Sequence, residues 1–166
     1  MSEAYVECMV ARRTPAWQAF VKYLLYFLCV VAVLASFVGF GIIALIVAIG
    51  IGVGAYFFGL NTDLEFEYLY LDKEITVDKI MGKSRRKRVA VYSLDKMEIL
   101  APIKSYHMDN YKNRELKTLD YSCGFEDQPD KRYVFIYEGG TKVIIQPTEE
   151  FVKVVKNVAP RKVFTD

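Results

Sequence analysis

This chain is poor in the residues from which catalytic and metal centres are built. It has one histidine, His107, and three cysteines, Cys8, Cys29 and Cys123, with no CxxC pair. A metal site needs several such donors close together, so none is expected. A disulfide framework is equally disfavoured, because Cys29 lies inside an apolar run that neither other cysteine easily reaches. Cys8 and Cys123 are expected as reduced thiols, which suits a cytosolic face. Cys8 also flanks the first apolar segment, a position where acylation occurs. Ser93 with Asp95, and Ser122 with Cys123, lack a base to activate a nucleophile. Gly139-Gly140 is too short to cradle a phosphate. The net charge of +2 leaves no electrostatic footprint for nucleic acid. No catalytic residue, no metal and no cofactor is therefore expected, and no nucleic-acid partner.

The longest absence is of charge. From Tyr23 to Thr62 there is no charged residue, whereas residues 61–166 hold 19 basic and 18 acidic ones. As a single helix this stretch would reach roughly 60 Å at about 1.5 Å per residue. The hydrocarbon core of a bilayer is about 30 Å thick, so the length suits two crossings. The break is expected at 36–41, where Ser36, Gly39 and Gly41 weaken the helix. The spans then cover about 15–38 and 42–58. Thr14 is expected to cap the first helix with Pro15 at its first position. Trp17, Tyr23 and Tyr26, and later Tyr56, Phe57 and Phe58, suit headgroup boundaries. Lys22 lies near enough to the end to snorkel outward.

Small residues recur in the second span at Ala44, Ala48, Gly52, Ala55 and Gly59, and Gly50 with Gly54 forms a GxxxG pair. Such residues let helices approach closely, here either the first span or a second copy of the chain. Arg12, Arg13 and Lys22 precede the spans, a Lys83–Arg88 cluster follows them, and the turn between has none. This predicts a multi-pass cell-membrane protein with both termini cytoplasmic. Residues 1–11 are expected to form a short interfacial helix, with Tyr5, Val6, Met9 and Val10 touching lipid.

After a linker of three residues, Asn61-Thr62-Asp63, the pattern becomes that of strands. Leu64–Leu71 alternates apolar and acidic residues. Asp72-Lys73 and Gly82-Lys83-Ser84 read as turns around a strand at 75–81. Further strands are expected at 86–92 and 97–100, with 103–117 a loop or short helix and His107 a surface loop residue. Another strand is expected at 120–125. Segments 133–137 and 142–146 flank a Gly139-Gly140 hairpin turn. Thr148 caps a final helix that buries Phe151, Val152, Val155 and Val158, and Pro160 ends it. The fold class is thus a membrane α-hairpin plus a mainly β soluble domain of about seven strands and a C-terminal helix. The segments are 1–13, N-terminal and cytosolic or interfacial; 14–60, the hairpin; and 61–166, the β domain.

The segment LYLDKEITVDKIMGKSRRKRVAVYSLDKMEIL, residues 69–100, resembles the opening of bacterial PH-like domains: strand, acidic turn, strand, basic turn, strand. The whole chain is similar to a group of bacterial membrane proteins, chiefly of Firmicutes, with two N-terminal spans and such a domain. The resemblance implies a fold and a location and carries over no binding residues.

The densest charge is the run Lys83, Arg85, Arg86, Lys87 and Arg88. The short linker sends the first strand away from the bilayer and the second back, so this turn should return to the lipid surface. There each cation adds on the order of 1 kcal/mol toward an anionic leaflet. Equally, Asp63, Glu65, Glu67, Asp72, Glu74 and Asp78 on neighbouring strands can pair with these cations. The expected function is non-enzymatic: a membrane-anchored domain that contacts anionic lipid or a protein at the inner leaflet. The alternative is an accessory or scaffold subunit assembled through the hairpin, with a protein partner or a homo-oligomer.

Overall fold

Residues 5–165 are described in the computed structural model, and they fall into two units. One unit is helical and comprises Thr14–Leu64 with Met81–Arg85. The other holds the sheets: the described residues up to Arg13, Glu65–Ile80 and Arg86 onward.

In the helical unit, α1 (Ala16–Ala35) and α2 (Gly41–Thr62) are joined by a π-helical turn at Ser36–Phe40. Gly39 at φ +124° and Gly41 at φ +54° make the break, conformations open to glycine without steric penalty. The helices pack antiparallel. Cys29 Sγ lies 3.5 Å from the Ala48 carbonyl. A Cβ at Gly52 would sit 3.4 Å from Cys29 Sγ, and one at Gly59 3.4 Å from the Tyr26 hydroxyl. At the end where α1 starts and α2 finishes, Lys22 Nζ meets Asp63 Oδ2 at 2.8 Å. The stretch Ala16–Thr62 is long and apolar enough to cross a membrane by length and composition.

Two helix boundaries differ from expectation. α1 starts at Ala16 with Pro15 as its N-cap and no side-chain cap, so Thr14 lies outside it. Pro15 itself is extended, at ψ 144°, so it caps the helix instead of opening its first turn. α2 runs on through Thr62, because Asn61 Nδ2 and Thr62 Oγ1 bond back to the carbonyls of Phe57 and Phe58. The linker to the next strand is Asp63 alone rather than three residues.

The sheet unit has two four-stranded sheets. The first runs β1 (Val6–Ala11), β2 (Leu64–Leu71), β3 (Glu74–Met81), β4 (Arg85–Ser93) in that spatial order. The second combines β5 (Met97–Pro102), β6 (Lys117–Asp120), β7 (Tyr133–Tyr137) and β8 (Thr141–Ile145) in the order β5-β7-β8-β6. There β6 runs parallel to β8, and the other pairs are antiparallel. That makes eight strands among the described residues, against about seven expected.

The added strand is β1, which replaces the interfacial helix expected at 1–11; residues 1–4 lie outside the described residues. β1 pairs antiparallel with β2, Val6 opposite Tyr70 through Ala11 opposite Glu65. Its alternation is of period two: Val6 and Cys8 are buried while Glu7 and Met9 are exposed. The strand expected at 120–125 instead ends at Asp120. The Asp120 carboxylate accepts from both the backbone N–H (2.9 Å) and hydroxyl (2.6 Å) of Ser122, a local turn that competes with strand pairing. The β7–β8 hairpin turns one residue earlier than expected. Glu138 and Gly139 take positive φ, and Gly140 N–H donates to the Tyr137 carbonyl at 3.3 Å.

A 3₁₀ turn covers Tyr106–Tyr111, and α3 (Glu149–Val158) closes the core. Thr148 Oγ1 caps α3 by accepting from Phe151 N–H. Phe151, Val152 and Val155 are buried as expected, but Val158 at the end of the stripe is 39% exposed. After α3 the chain lies beside β5: Leu100 N–H donates to the Lys162 carbonyl and Phe164 N–H to that of Leu100, both at 2.8 Å. Val163 is 1% exposed in the core.

Tyr68 sits at the centre of that core, fully buried, with its ring edge-on to Phe151. Its hydroxyl donates to the Tyr121 carbonyl (2.5 Å) and accepts from Gln146 N–H (3.3 Å). Burial pushes its pKa well above that of a free tyrosine. A raised folded-state value means that stabilisation is intact below about pH 10 and is lost as pH rises beyond it. Tyr68→Phe should therefore lower stability by about 1–3 kcal/mol at neutral pH, since two buried partners lose their bond. It should also flatten the alkaline loss. Denaturant unfolding of the intact chain in mild detergent, repeated from pH 7 to 11, checks both.

Candidate functional site

The basic run divides into two kinds of cation. Arg86 and Arg88, two apart on β4, turn toward carboxylates of the same sheet. Arg86 contacts Glu67 and lies 3.6 Å from Asp78 Oδ2, and Arg88 Nε is 3.5 Å from Asp78 Oδ1. Glu67 and Asp78 are buried, 4% and 9% exposed, beneath the arginines. Asp78 Oδ1 has no hydrogen bond, so its compensation is the longer Coulomb contact with Arg88. Lys83, Arg85 and Lys87 are exposed and make no ion pair among the described residues.

The turn that carries Lys83 belongs to the helical unit. Gly82 (φ +55°) and Lys83 (φ +56°) are its central residues. Gly82 N–H donates to the Asp63 carbonyl at 2.8 Å, which fixes the turn to the C-terminal end of α2. A Cβ at Gly82 would come within 2.7 Å of Leu60 Cδ2, so only glycine fits there without displacing Leu60. The Lys22–Asp63 pair lies at this same end, and Trp17 and Tyr23 of α1 are 61% and 70% exposed. Within this one unit, exposed aromatic rings, an ion pair and the turn with Lys83 and Arg85 share one end of an apolar helix pair.

The small residues of α2 also divide. Ala48, Ala55 and Gly59 are buried, Ala44 is half-buried, and Gly52 faces Cys29. Gly50 and Gly54 are exposed, with nothing within 4 Å of where a Cβ would stand. The first set therefore packs on α1, and the GxxxG pair points away.

The remaining singled-out residues are structural. Arg13 pairs with Asp127 at 2.7 Å, and Arg12 donates to the Asp120 carbonyl (3.2 Å) with its guanidinium 6.0 Å from the Phe66 ring centre. His107 is stacked between Tyr106 and Phe164, ring centres 4.0 and 3.8 Å away, rather than standing free in a loop. Cys8 is buried, and that burial pushes its thiol pKa up, away from a reactive thiolate. All three cysteines are unbridged. Among the described residues no group of three His, Cys, Asp or Glu side chains could hold a metal ion. The arrangement offers charge and apolar surface.

Among known proteins, the chain matches the family described as bacterial PH-like domain (DUF6106) over residues 2–165. It is 32% identical to the protein bride of sevenless of Drosophila virilis and 30% identical to that of Drosophila melanogaster, over 83 residues each. That stretch is 48% of this chain and 9% of the fly proteins, so the match covers under a tenth of those relatives' length. No solved structure matches.

The unequal carboxylates of β2 and β3 lead to an expected ranking. Glu67→Gln should cost about 1–3 kcal/mol, because it removes a direct charged contact under Arg86. Asp78→Asn, which loses only looser contacts, should cost less. Thermal unfolding of the two variants beside the parent gives the order; the reverse order would contradict the pairing described.

Proposed function

The chain belongs to this family of bacterial PH-like domains, and on that premise we propose that it is a membrane-anchored, non-enzymatic interaction module. Its helix pair crosses the bilayer twice, and its PH-like region from residue 61 onward, the basic turn included, contacts anionic lipid or a protein at the inner leaflet. PH-like domains are typically interaction modules without catalysis, which suits the site.

The pairing of β1 with β2 carries the topological part. These strands flank the apolar helices, and Ala11 stands opposite Glu65. A bilayer cannot run between paired strands, which supports both flanks on one side and an even number of crossings. α1 and α2 have 20 and 22 residues, so they extend about 30 and 33 Å, close to the thickness of a hydrocarbon core. α1 has no buried residue and α2 buries only Ala48, Ala55, Gly59 and Thr62. Helices apolar on all sides belong in lipid. The bias of Lys and Arg toward the flanks, with none in the turn, supports a cytoplasmic side for those flanks.

The lipid contact falls to Lys83 and Arg85 at the helix ends, each adding on the order of 1 kcal/mol near an anionic surface. Since the helices already anchor the chain, this energy orients the domain instead of recruiting it. Cysteines introduced at Val38 and at Thr165 should label from opposite faces of sealed vesicles. Labelling of both from one face would end the two-crossing scheme. Replacement of Lys83 and Arg85 by Glu should lower the anionic lipid that co-purifies in mild detergent several-fold, as counted by native mass spectrometry. An unchanged count would leave the protein-contact version standing.

A second role, assembly through the helices, is favoured by the outward position of Gly50 and Gly54. A cysteine at Gly50 should crosslink to a second copy or to a partner helix in native membranes. A product of monomer size alone would count against it.

A further inference from the structure

We propose that a hollow at the C-terminal end of α3, within the sheet unit, binds a small phosphate monoester with an apolar body through Lys73 and Arg161. The proposal does not depend on the membrane reading.

The hollow has a volume of about 330 Å³ and is formed where three separate segments meet: the β2–β3 turn, the β4–β5 turn and the chain that leaves α3. Hydrogen bonds fix this frame. Leu94 N–H donates to the Lys73 carbonyl at 2.8 Å. Lys162 Nζ donates to the carbonyls of Leu94 and Asp95, both at 2.9 Å. Leu94, Ala159 and Pro160 give the lining an apolar part, while Lys73, Arg161, Lys162 and Asp95 are its charged members. Lys162 is committed to the two carbonyls. Lys73 and Arg161 are exposed and make no ion pair among the described residues.

Cations near a helix C-terminus have an ordinary explanation, because they complement its free carbonyls. That accounts for Lys162 and for Lys156 in the last turn of α3. It does not account for Lys73. Lys73 holds φ +63°, the second positive-φ position of a two-residue turn where glycine is favoured. The turns at Gly82-Lys83 and Glu138-Gly139 each have a glycine as one of the two central residues, whereas Asp72-Lys73 has none. A lysine thus stands at strained backbone, on the rim of a hollow, with no acidic partner among the described residues. Retained strain of this kind is common at ligand sites. The guanidinium of Arg161 offers paired donors to phosphate oxygens, Lys73 adds a point charge, and the apolar lining takes the body. The three cations of the lining outnumber its one carboxylate, Asp95, by two, and this excess matches the double charge of a phosphate monoester better than a single carboxylate.

Phenyl phosphate is the probe, titrated into the intact chain in non-ionic detergent while the methyl resonances of Leu94 and Val158 are followed. A saturable shift is expected, at least tenfold tighter than with benzoate. Lys73→Gly should relieve the turn, so the thermal midpoint stays level or rises, yet affinity should fall tenfold or more. Arg161→Gln should weaken binding similarly, and Lys117→Gln, at an exposed position on β6, should leave it unchanged. No saturable shift, benzoate binding as tightly, undiminished binding by folded Lys73→Gly, or equal loss in Lys117→Gln would each overturn the assignment.

Discussion

Six register pairs between β1 and β2 join two points of the chain that lie on either side of the entire helical segment. Everything else depends on this closure. Val6 and Cys8 reach the core only because the chain returns beside them after α2, and Phe66, Tyr68 and Tyr70 would otherwise have a bare edge. Closing so long a connection costs entropy that grows slowly with its length. The antiparallel packing of α1 on α2 shortens the gap that remains, and the Lys22–Asp63 contact holds its two ends together. The helical unit is therefore an insertion within a strand pair rather than a leader placed before a finished domain.

Charge is allocated by the same economy of position. On β4 the residues that can reach Glu67 and Asp78 are used to neutralise buried carboxylates, a task that leaves little for any ligand. Lys83 and Arg85, a few residues away, stay exposed on a turn that the Asp63 carbonyl fixes at Gly82. One short basic run so serves both internal pairing and surface charge.

Much of the fold was legible in the sequence where a single physical rule dominates. The break at 36–41 follows from glycine, the strands at 64–71, 75–81 and 86–92 from period-two alternation, and the cap at Thr148 from its hydroxyl. What escaped needed tertiary partners. In β1, Tyr5, Val6, Met9 and Val10 fit a helical spacing as well as the alternation of Val6 and Cys8 fits a strand, and only β2, far along the chain, decides between them. The end of β6 at Asp120 depends on a side-chain bond to Ser122 that competes with pairing. The split of the basic run could not be foreseen either, since it depends on which cations reach Glu67 and Asp78 across the sheet. The stripe of small residues was visible, but not which members would face α1: Gly52 does, while Gly50 and Gly54 do not.

The segment after α3 has a consequence of its own. By lying along β5 through Leu100, with Val163 sunk in the core and Phe164 stacked on His107, it covers backbone that would otherwise be an open sheet margin. Open margins template the addition of foreign strands and so seed aggregates. A protease cut or an engineered stop between Pro160 and Lys162 would strip this cover from an otherwise intact sheet, so such products should be sticky rather than merely shorter. Any tag or reporter would need to be attached beyond Thr165 to leave the cover in place.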